Sequence, residues 1–233
     1  EVSMLFGSGI LGLGHHYFWI GTPEYWWEIG ALFSALEPVP LVAMFVHVIY
    51  DWGKETGLKE GNNEKIMNNT PAFAWFVTNA FGNFLGAGVW GFFHTLPQVN
   101  IYTHGTQFTS AHGHLAFFGA YATILIGMFY MGVQGKNGIK VMKATFDSKM
   151  AIFLITFGVL GMTVSLTIAG YGQVLVERAQ MGATWEAFFV SQDMVWFVQG
   201  LGWRLATGIM TFVGFIYLVK DLLTTSKNPI HEK

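Results

Sequence analysis

Long apolar runs separated by short polar segments dominate this chain. Each run has about 20 residues or more, which is the length that an α-helix needs to cross a hydrocarbon core about 30 Å thick. We therefore expect an all-α, polytopic membrane helical bundle that forms a single membrane domain over residues 1–233. The pattern predicts six membrane-spanning helices, over residues 3–20, 26–50, 71–95, 108–133, 149–173 and 194–219.

The positions of the lysines predict which ends of these helices face the cytoplasm. All of the lysines lie in three places: between the second and third spans, between the fourth and fifth spans, and after the sixth. With six spans these places share one face, which the positive-inside rule assigns to the cytoplasm. We expect a cytoplasmic loop at residues 51–69 and a cytoplasmic tail at residues 220–233, in a multi-pass protein of the cell inner membrane. In the opposite loops the only lysine or arginine is Arg178.

Composition supports a membrane protein and excludes several other classes. Hydrophobic residues make up 52% of the chain and charged residues 11%, whereas an average soluble domain has about 25% charged residues. The net charge of −2 leaves no basic surplus for binding nucleic acid. The absence of cysteine removes disulfides and thiolate ligation of haem. Because the chain starts at Glu1, without a methionine and already inside an apolar run, we expect it to be the C-terminal fragment of a longer protein.

Two histidines early in the fourth predicted span are separated by a single glycine. On an α-helix, residues two apart point about 200° from each other, so His112 and His114 do not readily chelate one metal. Each can instead ligate a separate centre on its own side of the helix, with Gly113 leaving room for a flat macrocycle. Neutral imidazole is a common axial ligand of haem iron. The alternative is a pair of histidines that hydrogen-bond to neighbouring helices.

Two adjacent histidines lie near the end of the first predicted span. Neighbouring helical residues diverge by about 100°, so His15 and His16 can reach one metal only where the helix ends or distorts, which Gly12 and Gly14 permit. Imidazole nitrogen suits iron, copper and zinc, and two ligands leave a site incomplete. The alternative is an interfacial pair that faces headgroups and water. In the six-helix topology both histidine pairs lie toward the outer face, as a shared dinuclear site requires.

A carboxylate lies midway along the second predicted span, at Glu37. An ionisable group at this depth is by default a candidate for a proton relay or a metal site. Pro38 and Pro40 interrupt the helix and free backbone carbonyls, which are tolerated only where they face protein or water. The alternative is a kinked helix whose glutamate hydrogen-bonds to a neighbouring span.

Several motifs that contain these residues carry a family resemblance. In these segments the chain resembles the catalytic large subunit of bacterial nitric oxide reductase, a member of the haem–copper oxidase superfamily. The resemblance implies the C-terminal half of a twelve-helix haem–copper oxidase fold. It also implies an enzyme of denitrification that converts two NO, two electrons and two protons to N2O and water. The motifs occupy residues 14–26, 33–38, 86–96, 102–107 and 111–121.

The resemblance also implies a role for each candidate residue. His15 and His16 match two ligands of a non-haem iron, and Glu37 matches a catalytic glutamate beside that iron that helps to deliver protons. His112 matches the axial ligand of a high-spin haem b. His114 matches one axial ligand of a low-spin haem b. The remaining ligands of these cofactors are expected in an N-terminal part that precedes this segment, so the fragment alone is expected to be inactive.

The resemblance further implies an electron donor. The motifs at residues 103–106 and 112–118 are closer to the cytochrome c-dependent type of reductase than to the quinol-fed type. The first type pairs the large subunit with a membrane-anchored cytochrome c small subunit, and quinol is the alternative donor. Trp90 and His94, which lie in another shared motif, are interpreted mainly as packing residues.

Other functions stay open at this point. An oxygen-reducing oxidase of the same superfamily uses copper and a redox-active tyrosine, and the Glu37 motif favours iron and NO instead. A nitric oxide dismutase-like enzyme is a second alternative. A b-type electron-transfer cytochrome, which is not an enzyme, would use only His112 and His114. A transporter or a structural membrane module would bind no haem at all.

Overall fold

The computed structural model describes nearly all of the predicted spans. Apart from a single-residue bridge between Asn69 and Met142, the described residues contain no β structure and are mostly helical. The predicted all-α fold is therefore confirmed. Glu37 and most of the predicted loop at 51–69 lie outside the described residues. Those residues are 2–18, 20–36, 69–139, 141–179 and 202–227, together with positions 39, 40, 43, 46, 47 and 50.

The helical segments follow one another along the chain with few breaks. The first helix continues directly into a 3₁₀ helix, and two later helical runs each contain a π-helical stretch, named π1 and π2. In chain order the elements are α1 (Val2–Gly12), the 3₁₀ helix (Leu13–Tyr17), α2 (Glu24–Ala35), α3 (Thr70–Gly82), π1 (Asn83–Trp90), α4 (Gly91–Thr95), α5 (Pro97–Thr103), α6 (Gln107–Phe117), π2 (Phe118–Ala122), α7 (Thr123–Lys136), α8 (Phe146–Ala179) and α9 (Trp203–Lys227).

These helices follow the predicted spans but differ at their ends. Stretches of α8 and α9 are long and apolar enough to cross a membrane, over Phe146–Leu175 and Trp203–Thr225. The third and fourth predicted spans coincide with the continuous runs α3–π1–α4 and α6–π2–α7. α9 continues to Lys227, so the first part of the predicted tail at 220–233 is helical. The start of the sixth predicted span lies outside the described residues.

The connection between the third and fourth spans, expected to be a loop, contains the short helix α5. Pro97 stands at the start of this helix, where its missing N–H and fixed φ suit the first helical turn. The Asn100 side chain donates to the His94 carbonyl at 2.9 Å and so covers the end of α4. Gly105, with a φ of 76°, then turns the chain into α6, where Thr106 caps the first turn.

Glycines let several of these helices touch backbone to backbone. A Cβ on Gly82 would lie 2.5 Å from the Cα of Gly119, where the α3–π1 run meets π2. A Cβ on Gly158 would lie 2.8 Å from the carbonyl oxygen of Thr207, where α8 meets α9. α8 also packs along α6, and α6 in turn contacts π1. The histidines of α6 therefore lie where three helical runs meet.

A hydrogen-bonded network at the lysine-bearing end ties four helices together. Asp221 on α9 is 1% exposed and accepts hydrogen bonds from the Tyr130 hydroxyl of α7, at 2.7 Å, and from the Thr145 hydroxyl just before α8. Next to it, the Asn69 side chain donates to the Tyr130 carbonyl at 3.1 Å and to Gln134 at 3.0 Å. The beginning of α3 is thereby joined to the same network.

We expect Asp221→Ala to destabilise the fold, because it leaves the buried Tyr130 hydroxyl without an acceptor. An unsatisfied buried polar group costs about 1–3 kcal/mol. The measurement is thermal unfolding in detergent micelles, followed by tryptophan fluorescence, and the transition should move to lower temperature.

Asp147→Ala is the matched control. Asp147 pairs at 2.8 Å with Lys220, whose side chain is 59% exposed, and such surface pairs contribute about 0–1 kcal/mol. The Asp147 variant should therefore unfold close to the parent temperature. An equal loss in both variants would contradict a special role for Asp221.

Candidate functional site

The two adjacent histidines lie at the point where the first helix changes its winding. α1 ends at Gly12, and the following 3₁₀ helix contains both His15 and His16. The centroids of the two imidazole rings are 3.9 Å apart. The change of winding that a shared metal would require is therefore present, and the two rings lie against each other.

Backbone contact with α2 holds this turn in place. A Cβ on Gly30 would lie 2.3 Å from the Cα of Gly14 and 2.4 Å from the backbone nitrogen of His15. A Cβ on Gly14 would lie 2.1 Å from the Trp26 carbonyl oxygen, so no larger residue fits at either position. Ser34 lies one helical turn beyond Gly30, on the same face of α2, and is buried. α2 thus presents a hydroxyl group to the His15 ring.

Hydrogen bonds at Nδ1 orient the His15 ring. Nδ1 donates to the Gly12 carbonyl at 2.7 Å and lies 2.5 Å from Ser34 Oγ, which itself donates to the same carbonyl at 3.0 Å. Because the proton is on Nδ1, the lone pair of the neutral ring is on Nε2. Metal-ligating histidines usually donate their other ring N–H to a carbonyl or a carboxylate in this way.

A backbone carbonyl of π1 orients the His112 ring of α6, again by accepting a hydrogen bond from Nδ1. The Gly86 carbonyl accepts a π-type bond from the Gly91 N–H and also accepts from His112 Nδ1 at 3.0 Å, so the His112 lone pair is on Nε2. A Cβ on Gly86 would lie 2.7 Å from the backbone nitrogen of Ala116, so only glycine lets π1 approach α6 this closely. A Cβ on Gly91 would lie 3.4 Å from Cε1 of the His112 ring.

His114 lies two residues further along α6, which is regular α-helix from Gln107 to Phe117. The two histidine side chains therefore leave the helix about 200° apart. His114 Nδ1 donates to the Ser110 carbonyl of the same helix at 2.7 Å. This ring also has its lone pair on Nε2, and it is available on a different side of α6 from His112.

Three of the predicted ligands interact electrostatically. His15 interacts with both His16 and His112, and His112 interacts with His16. The contacts described for the His114 ring are with its own helix. The interactions of the 3₁₀ turn thus include His112.

Two residues interpreted as packing lie beside His112. His94, at the end of α4, is 6% exposed, and its ring centroid is 5.1 Å from that of His112. Its Nε2, like Nε1 of Trp90, is buried and has no hydrogen-bond partner among the described residues. The signal that was available in the sequence is a histidine inside an apolar span, which is by default a candidate functional residue.

These residues have the chemistry to hold part of a metal and haem site. Within the described part of the chain, no three histidine, aspartate or glutamate side chains converge on one point, and Glu37 lies outside that part. His15 and His16 place two imidazoles together, while His112 and His114 present Nε2 lone pairs on different sides of α6. An all-imidazole donor set fits iron or copper and the axial position of haem.

Comparison with known proteins agrees with this arrangement. The model of the family described as cytochrome c and quinol oxidase polypeptide I matches residues 1–203. A nitric oxide reductase subunit from Stutzerimonas stutzeri is 33% identical over 232 residues. That match takes in 98% of this chain and 47% of the relative, so the chain spans about half the length of this curated protein.

The predicted resemblance is confirmed by both comparisons. The matched family consists of helical membrane bundles, so the bundle described above is a membrane fold. Its members are oxidoreductases whose cofactors are haem together with iron or copper, and the histidines of this chain fit such cofactors. The chain belongs to the cytochrome c and quinol oxidase polypeptide I family, the haem–copper oxidases.

Proposed function

We propose that the protein to which this chain belongs is the catalytic subunit of a nitric oxide reductase. It reduces two NO to N2O and water with two electrons and two protons, as a step of denitrification. The observation that carries this proposal is the close pair of His15 and His16 rings, 3.9 Å apart, together with Nδ1 hydrogen bonds that leave the lone pairs of His15 and His112 on Nε2. The similarity to a protein named as a nitric oxide reductase subunit supports NO as the substrate.

In this proposal α6 lies between two haem b groups. His112 would bind the high-spin haem through Nε2. His114 is one axial ligand of the low-spin haem, on another side of the helix. Carbonyl oxygens accept the Nδ1 protons of both rings, which fixes the tautomer and makes Nε2 the stronger ligand.

The 3₁₀ turn holds the non-haem iron. His15 and His16 provide two of its ligands, and the remaining ligands come from outside this chain segment. When bound, the two irons of the dinuclear centre supply electrons and Lewis acidity to the two NO molecules. Ser34 holds the His15 ring with Nε2 free to bind the iron, because its hydroxyl and the Gly12 carbonyl both bind at Nδ1.

Glu37 is proposed to deliver protons to this centre. In the sequence, Glu37 comes two residues after the last residue of α2. Ser34, near that end of α2, contacts the His15 ring. A carboxylate at this depth is expensive to maintain unless it is paired or used. The proposed reaction provides such a use, because two protons are needed to form the water that is released with N2O.

Electrons are proposed to arrive from a membrane-anchored cytochrome c small subunit, with quinol as the alternative donor. The similar protein is itself named as a subunit, which supports a multi-subunit assembly. The proposed setting is the inner membrane, with the lysine-bearing ends of the helices in the cytoplasm and the histidine site toward the outer face.

The proposed function is tested on the full-length protein purified from membranes under anaerobic conditions. It should contain two b haems and one non-haem iron per chain, and it should release one N2O for every two NO consumed with a reductant present. Copper in place of non-haem iron, with oxygen consumption and little N2O, would assign it to the oxygen reductases. Haem without NO turnover would leave an electron-transfer cytochrome.

We expect the two α6 histidines to control different haems. His112→Ala should remove the high-spin haem b signal from the optical spectrum and leave the low-spin signal, whereas His114→Ala should do the reverse. His47→Ala is the control, because His47 is an exposed histidine near the predicted cytoplasmic end of the second span, and it should leave both signals intact. Loss of both haems in each α6 variant would contradict the assignment of separate centres.

We expect Ser34→Ala to weaken iron binding without changing the haems. Removal of a residue that orients a metal-ligating histidine typically costs about 10–100-fold in metal affinity. The measurement is non-haem iron content after dialysis against a graded series of chelator concentrations, with haem content as the internal reference.

Ser165→Ala is the matched control for this experiment. Both serines are 1% exposed, but the Ser165 hydroxyl has no hydrogen-bond partner within the described residues. The Ser165 variant should retain iron like the parent protein. If Ser34→Ala also retained iron like the parent, the role of Ser34 in orienting His15 would be wrong.

A further inference from the structure

His94 occupies a position that the proposed reaction does not use. It lies at the end of α4, one residue before the last residue of that helix, and only 6% of the residue is exposed. Its ring packs between two others. One is the His112 ring, with centroids 5.1 Å apart and planes at 39°, and the other is the Phe108 ring, with centroids 5.3 Å apart and planes at 54°.

This packing completes an enclosure around the His112 imidazole. The Gly86 carbonyl holds the Nδ1 edge of the ring, and Gly91 leaves room beside Cε1 for the ring to approach the α4 backbone. The hydrogen bond alone fixes one edge and still permits the ring to tilt about the line from Nδ1 to the oxygen. The His94 ring removes that freedom, because it lies in direct contact with the His112 ring.

Other aromatic rings hold His94 in this position. Its ring lies against that of Phe108, and the Trp90 ring stacks on Phe108 with centroids 6.2 Å apart. Nε2 of His94 has no hydrogen-bond partner among the described residues, so the interaction described between His94 and His112 is the contact of their rings.

We propose that His94 is a positioning residue for the haem that His112 binds, and that it fixes the plane of the His112 imidazole by ring contact. This inference rests on the proposed function, because it requires haem at His112. The orientation of an axial imidazole relative to the haem nitrogens affects the strength of the iron–histidine bond. His94 would therefore act on the haem iron through His112, without being a ligand itself.

The experiment compares His94→Ala, which removes the ring, with His94→Phe, which keeps a ring but removes both nitrogens. The readout is the iron–histidine stretching band in the resonance Raman spectrum of the reduced, full-length protein, together with the ratio of haem to protein. We expect His94→Ala to broaden this band and shift it to lower frequency at unchanged haem content. His94→Phe should restore the parental band, and the exposed control His47→Ala should leave it unaltered.

The outcomes separate this role from the alternatives. A parental band in His94→Ala would overturn the proposal, and so would an equal change in the Ala and Phe variants, because the nitrogen rather than the ring would then matter. Loss of haem in His94→Ala with retention in His94→Phe supports ring contact, whereas loss in both contradicts it. Absence of haem from the parent protein would refute the proposed function itself, which is a different result from an unaltered band in a haem-containing variant.

Discussion

The hydrogen bond from His112 Nδ1 to the Gly86 carbonyl is the interaction on which the candidate site depends. It requires π1 and α6 to approach so closely that a Cβ on Gly86 would overlap the α6 backbone. It also determines the tautomer, because a carbonyl only accepts, and so places the His112 lone pair on Nε2. Without this contact the ring would have neither a fixed orientation nor a defined ligand atom.

The His15 ring is also oriented by a hydrogen bond from Nδ1 to a backbone carbonyl, but here the carbonyl belongs to the end of α1 and the irregular segment is a 3₁₀ turn. At His15 the chain leaves α-helical winding for a 3₁₀ turn, and the Gly14–Gly30 contact presses this turn against α2. The Gly12 carbonyl and the Ser34 hydroxyl both contact His15 Nδ1, just as the Gly86 carbonyl binds His112 Nδ1. Both irregular segments belong to predicted membrane spans, where a change of winding re-aims side chains while the backbone remains hydrogen-bonded.

Much of this arrangement can be predicted from the sequence, because apolar length determines membrane helices and because two residues on one helix have fixed relative directions. The fourth predicted span agrees with α6–π2–α7 within a few residues, and the distortion at Gly12–Gly14 follows from the need of two adjacent histidines to converge. The π segments and α5 are not predicted, since their winding depends on contacts with neighbouring helices. The proximity of His94 to His112 depends on how the α3–π1–α4 run packs against α6. The spacing of residues within either segment does not predict that packing. The predicted role of Glu37 falls outside the described residues and stays a prediction.

The central claim is that the 3₁₀ turn and His112 serve one dinuclear centre. Two paramagnetic irons that share such a centre would couple magnetically, so the most direct measurement is the EPR spectrum of the fully oxidised, full-length protein. The ferric high-spin haem signal should be nearly absent in the parent and should appear at close to one spin per chain in His15→Ala, which removes the partner iron. A full-intensity, isolated high-spin haem signal in the parent, with non-haem iron present in stoichiometric amount, would contradict a shared centre.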